Sequence, residues 1–219
     1  MTAITTHEAI PRTTTAAPVI ALKRRTIDSV LIGLGAVVAF VLVAAGGLLT
    51  WGANFSNDYV HDELASQNIA FPPAAALEEE GRTDLLKFAG ATVDTGPEAE
   101  GYASFINGHL ETTADGMTYA DLGAVERAAN AAVDEATANG ASVTAVAALQ
   151  ADADVITGQR NSLFKGETLR GLLLSAFAWS TVGRIAGIAA TLAFIAAGVM
   201  VLLVAFGIRH HHKVVVNQS

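Results

Sequence analysis

The order of apolar and polar positions divides the chain into two long uncharged runs around a polar middle. Residues 30–51, "VLIGLGAVVAFVLVAAGGLLTW", hold 22 positions without a charge, and residues 185–208, "IAGIAATLAFIAAGVMVLLVAFGI", hold 24. A hydrocarbon core of about 30 Å is crossed by about 20 helical residues, so each run predicts a transmembrane helix. The first takes residues 26–51, with Trp51 at interface level, and the second takes 185–208. The apolar part of a cleaved signal peptide is only about 7–15 residues long, so the first run is expected to remain as an anchor.

Ahead of the second run stands "GETLRGLLLSAFAWSTVGR", residues 166–184, which begins polar and turns apolar within five residues. Its uninterrupted part, residues 171–183, is too short to cross a bilayer. It therefore reads as a juxtamembrane helix. Leu172, Leu173, Phe177 and Trp179 need cover from the base of the ectodomain, the lipid interface or another protein. Arg184 sits at the outer interface, where a long side chain reaches polar groups.

Between the runs, residues 52–165 show helical spacing and no alternation long enough for a sheet. Ser56 reads as an N-cap for the helix that follows the first span, and Pro72 and Pro73 end that segment. Thr95 with Pro97 opens a helix whose apolar face is Tyr102, Phe105, Ile106, His109 and Leu110. Thr118 and Asp121 fit a capping box, Gly140 a stop, and Ser142 a cap for the last helix. The expected fold is an all-α membrane protein, a small extracytoplasmic bundle of about four helices whose first and last elements run on into the two spans.

Both spans carry notches of small residues. Gly183, Gly187 and Ala190 in the second, and Gly35 with Ala39 in the first, sit at spacings that let helix backbones approach closely. They are expected to pack helices together, within this chain, with another copy or with another membrane protein.

Charge gives this layout a direction. Residues 52–168 contain 19 acidic and five basic residues, a net −14, whereas the remainder is net +6. Basic residues stand before the first span (Lys23, Arg24, Arg25) and after the second (Arg209, Lys213). The positive-inside rule then places both termini in the cytoplasm and residues 52–184 outside. The expected location is the bacterial cytoplasmic (inner) membrane, multi-pass, with a cytoplasmic arm (1–25) and a basic tail (209–219). Residues 1–22, rich in Thr and Ala, have no sustained period and are expected to be disordered. The acidic balance excludes a nucleic-acid footprint, which is basic.

Candidate chemistry is sparse. The chain has no cysteine, which removes disulfides, thiolate metal sites and thiol nucleophiles. His61 with Asp58 or Asp62, plus His109, is the only set in the middle region with the composition of a two-histidine, one-carboxylate iron site. His109, on an apolar face, reads more simply as a packed histidine. The histidines at 210–212 read as part of the basic flank. Glu78, Glu79 and Glu80 are consecutive and so point around a helix rather than at one site. No phosphate-binding loop, dinucleotide fingerprint, nucleophile elbow or H-E-x-x-H motif is present. The expectation is a protein without catalytic site, cofactor or metal.

Two stretches, "YVHDELASQNIAFPP" (59–73) and "QRNSLFKGETLRGLLLSAFAW" (159–179), resemble a family of actinobacterial two-span membrane proteins of unknown function. Some of its members carry the label aromatic ring-opening dioxygenase. What the resemblance implies here is architecture alone, because the iron ligands such an oxygenase needs are not assembled by these residues. The expected role is an accessory or scaffold subunit of an envelope or respiratory membrane complex, in contact with lipid and with other membrane proteins. The same layout also fits an extracytoplasmic ligand-sensing module that signals through a partner.

Overall fold

A computed structural model describes residues 24–216, with side chains from 26 to 210. The expected disordered arm (residues 1–22), the side chains of His211 and His212 and the end of the tail lie outside these. Among the described residues the chain is helical with no strand. α1 is Arg24–Ala65, α2 Ala74–Glu79, α3 Gly96–Thr113, α4 Tyr119–Ala138 and α5 Val143–Val216, with a 3-10 turn at Thr83–Phe88 between α2 and α3. Two of these helices, α1 and α5, are long and apolar enough to cross a membrane. The chain divides into two compact units, Met1–Val43 with Ile195–Ser219, and Ala44–Phe194.

In the first unit, α1 meets α5 through a narrow seam. The covered positions on α1 are Ile32, Gly35, Val38, Ala39 and Leu42, and those on α5 are Ala197, Met200, Val204 and Gly207. Spacings of three and four put these on one side of each helix, the pattern of knobs-into-holes packing. The fit is close. A Cβ on Gly35 would lie 2.9 Å from Val204, and one on Gly207 would lie 3.0 Å from Ile32. The other face of each helix, with Leu34, Phe40, Leu203 and Phe206, stays exposed.

The second unit continues both helices and packs the remaining elements against them. Gly46, Ala53, Ser56, Val60 and Leu64 form the covered side of α1; Leu163, Leu173, Gly183 and Ala190 that of α5. Ser56 is not an N-cap. It lies inside an unbroken helix and is buried, and its hydroxyl donates to the Trp179 carbonyl at 2.7 Å. Gly183 makes room for it, since a Cβ there would fall 3.1 Å from the Ser56 Cβ. A mid-helix serine whose hydroxyl finds a partner on a neighbouring helix no longer competes with its own backbone.

α1 ends at Ala65, and Asn68 takes a left-handed conformation (φ 52°) that only a few residue types tolerate. The chain then runs extended into Pro72 and Pro73. Phe71 N–H donates to Ala91 O (2.9 Å) and Val93 N–H to Ile69 O (2.8 Å), a two-bond tie that closes the loop around α2 and the 3-10 turn. That loop is hydrophobic where it meets the core: Leu77 and Leu85 are buried. The cluster that holds the unit together is Val60, Leu64, Phe71, Leu77, Leu85, Val93, Ala99, Ala103, Phe105 and Leu173. A second, smaller cluster joins Leu110, Ala114, Leu122 and Leu163.

Helix starts follow local chemistry. Thr95 donates from both its N–H (3.0 Å) and its hydroxyl (2.8 Å) to Glu98, with Pro97 in the first turn of α3. Thr118 and Asp121 form a reciprocal capping box on α4, and Ala145 N–H donates to Ser142 Oγ at the start of α5. Gly140, with φ 71°, closes α4 by a left-handed turn. Gly96 has a different reason to be glycine: a Cβ there would collide with Ser180 of α5.

Candidate functional site

The residues singled out around the second span separate by face. Leu173 is 2% exposed and belongs to the main core cluster, whereas Leu172, its neighbour, is 64% exposed. Phe177 is half-buried; its backbone runs beside Gly96. Trp179 is 53% exposed and Arg184 is exposed. No separate juxtamembrane helix exists at 166–184; that stretch lies inside the single helix α5. The small residues lie on covered faces, each within its own unit. Gly183 packs on Ser56, Gly187 faces Ala53, Ala190 is buried, Gly35 meets Val204, and Ala39 is buried.

α1 carries an exposed aromatic strip, of which the sequence analysis names Trp51 alone. Trp51, Phe55 and Tyr59 stand four residues apart on α1 and stack, with centroids 5.8 and 6.2 Å apart. Side chains at i and i+4 share a helix face, so this spacing was open to view. All three are more than half exposed; Trp51 reaches 68%. Residues of α1, of the turn that follows it and of α5 line a groove of about 350 Å³. Tyr59, Glu63 and Gln67 line one wall, and Leu169, Leu172 and Trp179 line the other. Glu63 is its one charged lining residue, and that carboxylate has no side-chain partner among the described residues.

The histidines are far less connected. His61 is exposed, with Nδ1 3.3 Å from Asp94 O. His109 is not packed as its apolar neighbours suggest: its side chain is 54% exposed. The ring meets Phe105 edge-on (4.6 Å between centroids) and stands 3.7 Å from Glu80. The helix rotates Phe105 and Leu110 into the core and leaves position 109 at the rim. Among the described residues, no three His, Cys, Asp or Glu side chains come together as a metal-holding group.

Charge is organised instead at structural joints. Arg160 donates to Glu126 at 2.6 Å and lies over the Tyr119 ring, 4.3 Å from its centroid. The Thr157 hydroxyl donates to the same carboxylate at 2.8 Å. These partners, the Thr157 bond foremost and Arg160 with it, hold the Glu126 carboxyl below the usual carboxylate range. Arg82 does the same for Asp84 through a two-point contact at 3.0 and 3.1 Å. It also ties the 3-10 turn to α3 by donating to the Ser104 carbonyl and hydroxyl. Asp121 is lowered by the Thr118 hydroxyl and N–H. At Glu98, partial burial opposes ionisation, yet the bonds from Asp94 and Thr95 outweigh it and the net shift is downward.

The fold thus defines a class: an all-α chain with two helices long and apolar enough to span a membrane. Set beside known proteins, the chain matches no family model, no curated protein and no solved structure.

Proposed function

We propose that this is a two-span integral membrane protein of the bacterial cytoplasmic membrane, with both termini inside and the acidic helical unit outside, acting as an accessory or scaffold subunit of an envelope or respiratory membrane complex. One observation supports the scaffold role most directly. The hairpin of α4 and the start of α5 has no buried residue between 124 and 152, although both helices are fully formed there. Its partly covered positions include Ala129, Ala132, Ala136, Val146 and Leu149, and Val125, Val143 and Val155 are exposed. Two helices held by so little internal burial present surface in excess of what the fold uses, which suits an arm that others grip. Its root is fastened by the Glu126–Arg160–Thr157 joint. The membrane placement is supported by the apolar exposed faces of α1 and α5, and its direction by the charge asymmetry.

Extraction in gentle detergent followed by native mass spectrometry tests this reading. The expected result is a hetero-assembly that is lost when residues 127–155 are replaced by a short loop and kept when an exposed acidic residue such as Glu100 is neutralised. A chain that runs alone at its monomer or homodimer mass overturns it.

A further inference from the structure

Asparagine followed by glycine occurs twice in the chain, at 107–108 and at 139–140, and the fold treats the two pairs oppositely. Such a pair is chemically reactive. A glycine after asparagine has no side chain to keep the carboxamide away from its nitrogen, and its backbone turns freely. Asn107 and Gly108 lie inside α3. The Asn107 amide donates to Glu111 Oε1 at 2.7 Å, and a Cβ on Gly108 would stand 3.2 Å from the Arg82 guanidinium. Asn139 and Gly140 lie instead at the tip between α4 and α5. Every residue from 137 to 145 is exposed, and a Cβ on Gly140 would meet open space. Main-chain bonds close the tip: Asn139 N–H to Glu135 O (2.9 Å), Gly140 N–H to Thr137 O (3.1 Å) and Ala141 N–H to Ala136 O (3.0 Å). They sit at the exposed end of a helix, where local opening costs least.

We propose that Asn139 is a site of self-modification, converting through a cyclic imide to a mixture of aspartyl and isoaspartyl residues. The Gly140 nitrogen attacks Asn139 Cγ and forms a new C–N bond. The carboxamide C–N bond breaks, and its nitrogen leaves as ammonia with the proton that Gly140 gives up. Water, the only co-reactant, then opens the ring. Attack at Cγ restores the ordinary main chain with an aspartate side chain. Attack at the main-chain carbonyl leaves the chain running through Cβ and Cγ, one methylene longer. To bring Cγ onto the nitrogen, the tip rotates about the Asn139 Cα–C bond from its ψ of 2°, and Gly140 follows with no Cβ to collide. The same rotation at Asn107 would unwind the middle of α3 and break the bond to Glu111. Either product puts a new carboxylate at the C-terminal end of α4, where the helix dipole disfavours negative charge, and so loosens the turn. The site needs neither the membrane assignment nor the scaffold role.

The full-length protein, purified in gentle detergent, would be aged at mildly alkaline pH and digested. Mass spectrometry would then follow both Asn-Gly peptides, with their aspartyl and isoaspartyl forms separated. In the folded protein Asn139 is expected to convert roughly ten-fold or more faster than Asn107, the factor that the cost of breaking one further hydrogen bond supplies. In concentrated urea, where the fold no longer distinguishes the two sites, they should convert at similar rates. Equal rates in the folded protein, or faster conversion at Asn107, overturn the proposal. So does an unchanged Asn139 in folded protein when the urea sample reacts at both sites. A product that is aspartyl alone also overturns it, since it would mean direct hydrolysis of the amide without a ring. Asn139→Asp, which reproduces the new charge, should speed amide exchange in the last turn of α4 and leave the capped first turn at Thr118 and Asp121 as it was. Unchanged exchange in the last turn would overturn the loosening.

Discussion

At the residue scale, the pair Leu172 and Leu173 shows how sharply a helix partitions neighbours. They are chemically identical and adjacent, yet one is exposed and the other nearly sealed in the main core. Leu173→Ala should lower stability by about 2–5 kcal/mol, the range for a buried leucine, whereas Leu172→Ala should stay within about 0.5 kcal/mol. Thermal unfolding of the two variants side by side checks this; equal effects would contradict the placement. Ser56 offers a second contrast. Ser56→Ala leaves the Trp179 carbonyl without its extra donor and should cost about 0.5–1.5 kcal/mol, while Ser56→Val, forced against Gly183, should cost more.

The acid response of the Glu126 joint is also a residue-scale property. The folded state holds this carboxyl below its ordinary value of 4.5. Its contribution to stability is therefore complete above about pH 4.5 and disappears as pH falls through the lowered value. Glu126→Gln should accordingly destabilise at neutral pH, with the difference from the parent chain shrinking on acidification below pH 4.5. A difference that is constant from pH 7 to pH 3 would show that the joint contributes through shape rather than charge.

At the scale of elements, the helix boundaries owe their positions to local chemistry and were legible for that reason. A capping box is a contact between residues three apart, so "TYAD" at 118–121 carries its own instruction. Thr118→Ala should cost about 1 kcal/mol and speed amide exchange in the first turn of α4. Slower or unchanged exchange there would argue that tertiary packing, not the cap, holds the turn. Three features were not legible. Ser56 has the residue type of a cap, and only the presence of Gly183 and the Trp179 carbonyl opposite keeps it mid-helix. Residues 74–88 are too short and too mixed in period to announce themselves, and they fold because Leu77 and Leu85 have a core to enter. His109 falls on an apolar face in projection, but that face is wider than the surface covering it, so its edge remains in solvent.

At the scale of the whole molecule, the reading of topology rests on charge and length, and the absence of native cysteine makes it simple to test. Asp134→Cys should react with a membrane-impermeant maleimide on intact cells, and Gln218→Cys only after lysis. The reverse pattern, or equal labelling, would invert or remove the assigned orientation. The seam between α1 and α5 belongs to this scale too. Gly35, Gly207 and Gly183 are places where one helix accepts a side chain of the other, and Gly183→Leu should separate the pair and lower extraction yield.

What the sequence determined by itself is whatever depends on composition along one axis. It contains the two uncharged runs, the acidic middle, the proline break and the caps, because bilayer thickness, helix rise and hydrogen bonds over three or four residues act within a single stretch. What only the tertiary structure decided is which side of each helix is covered. That choice placed Leu173 in the core and Leu172 outside, turned Ser56 toward a distant carbonyl, and brought Tyr59 and Glu63 to face Leu172 and Trp179 across one groove. Residues more than a hundred positions apart meet there because close packing selects one rotational setting for each helix, and no local pattern encodes that setting.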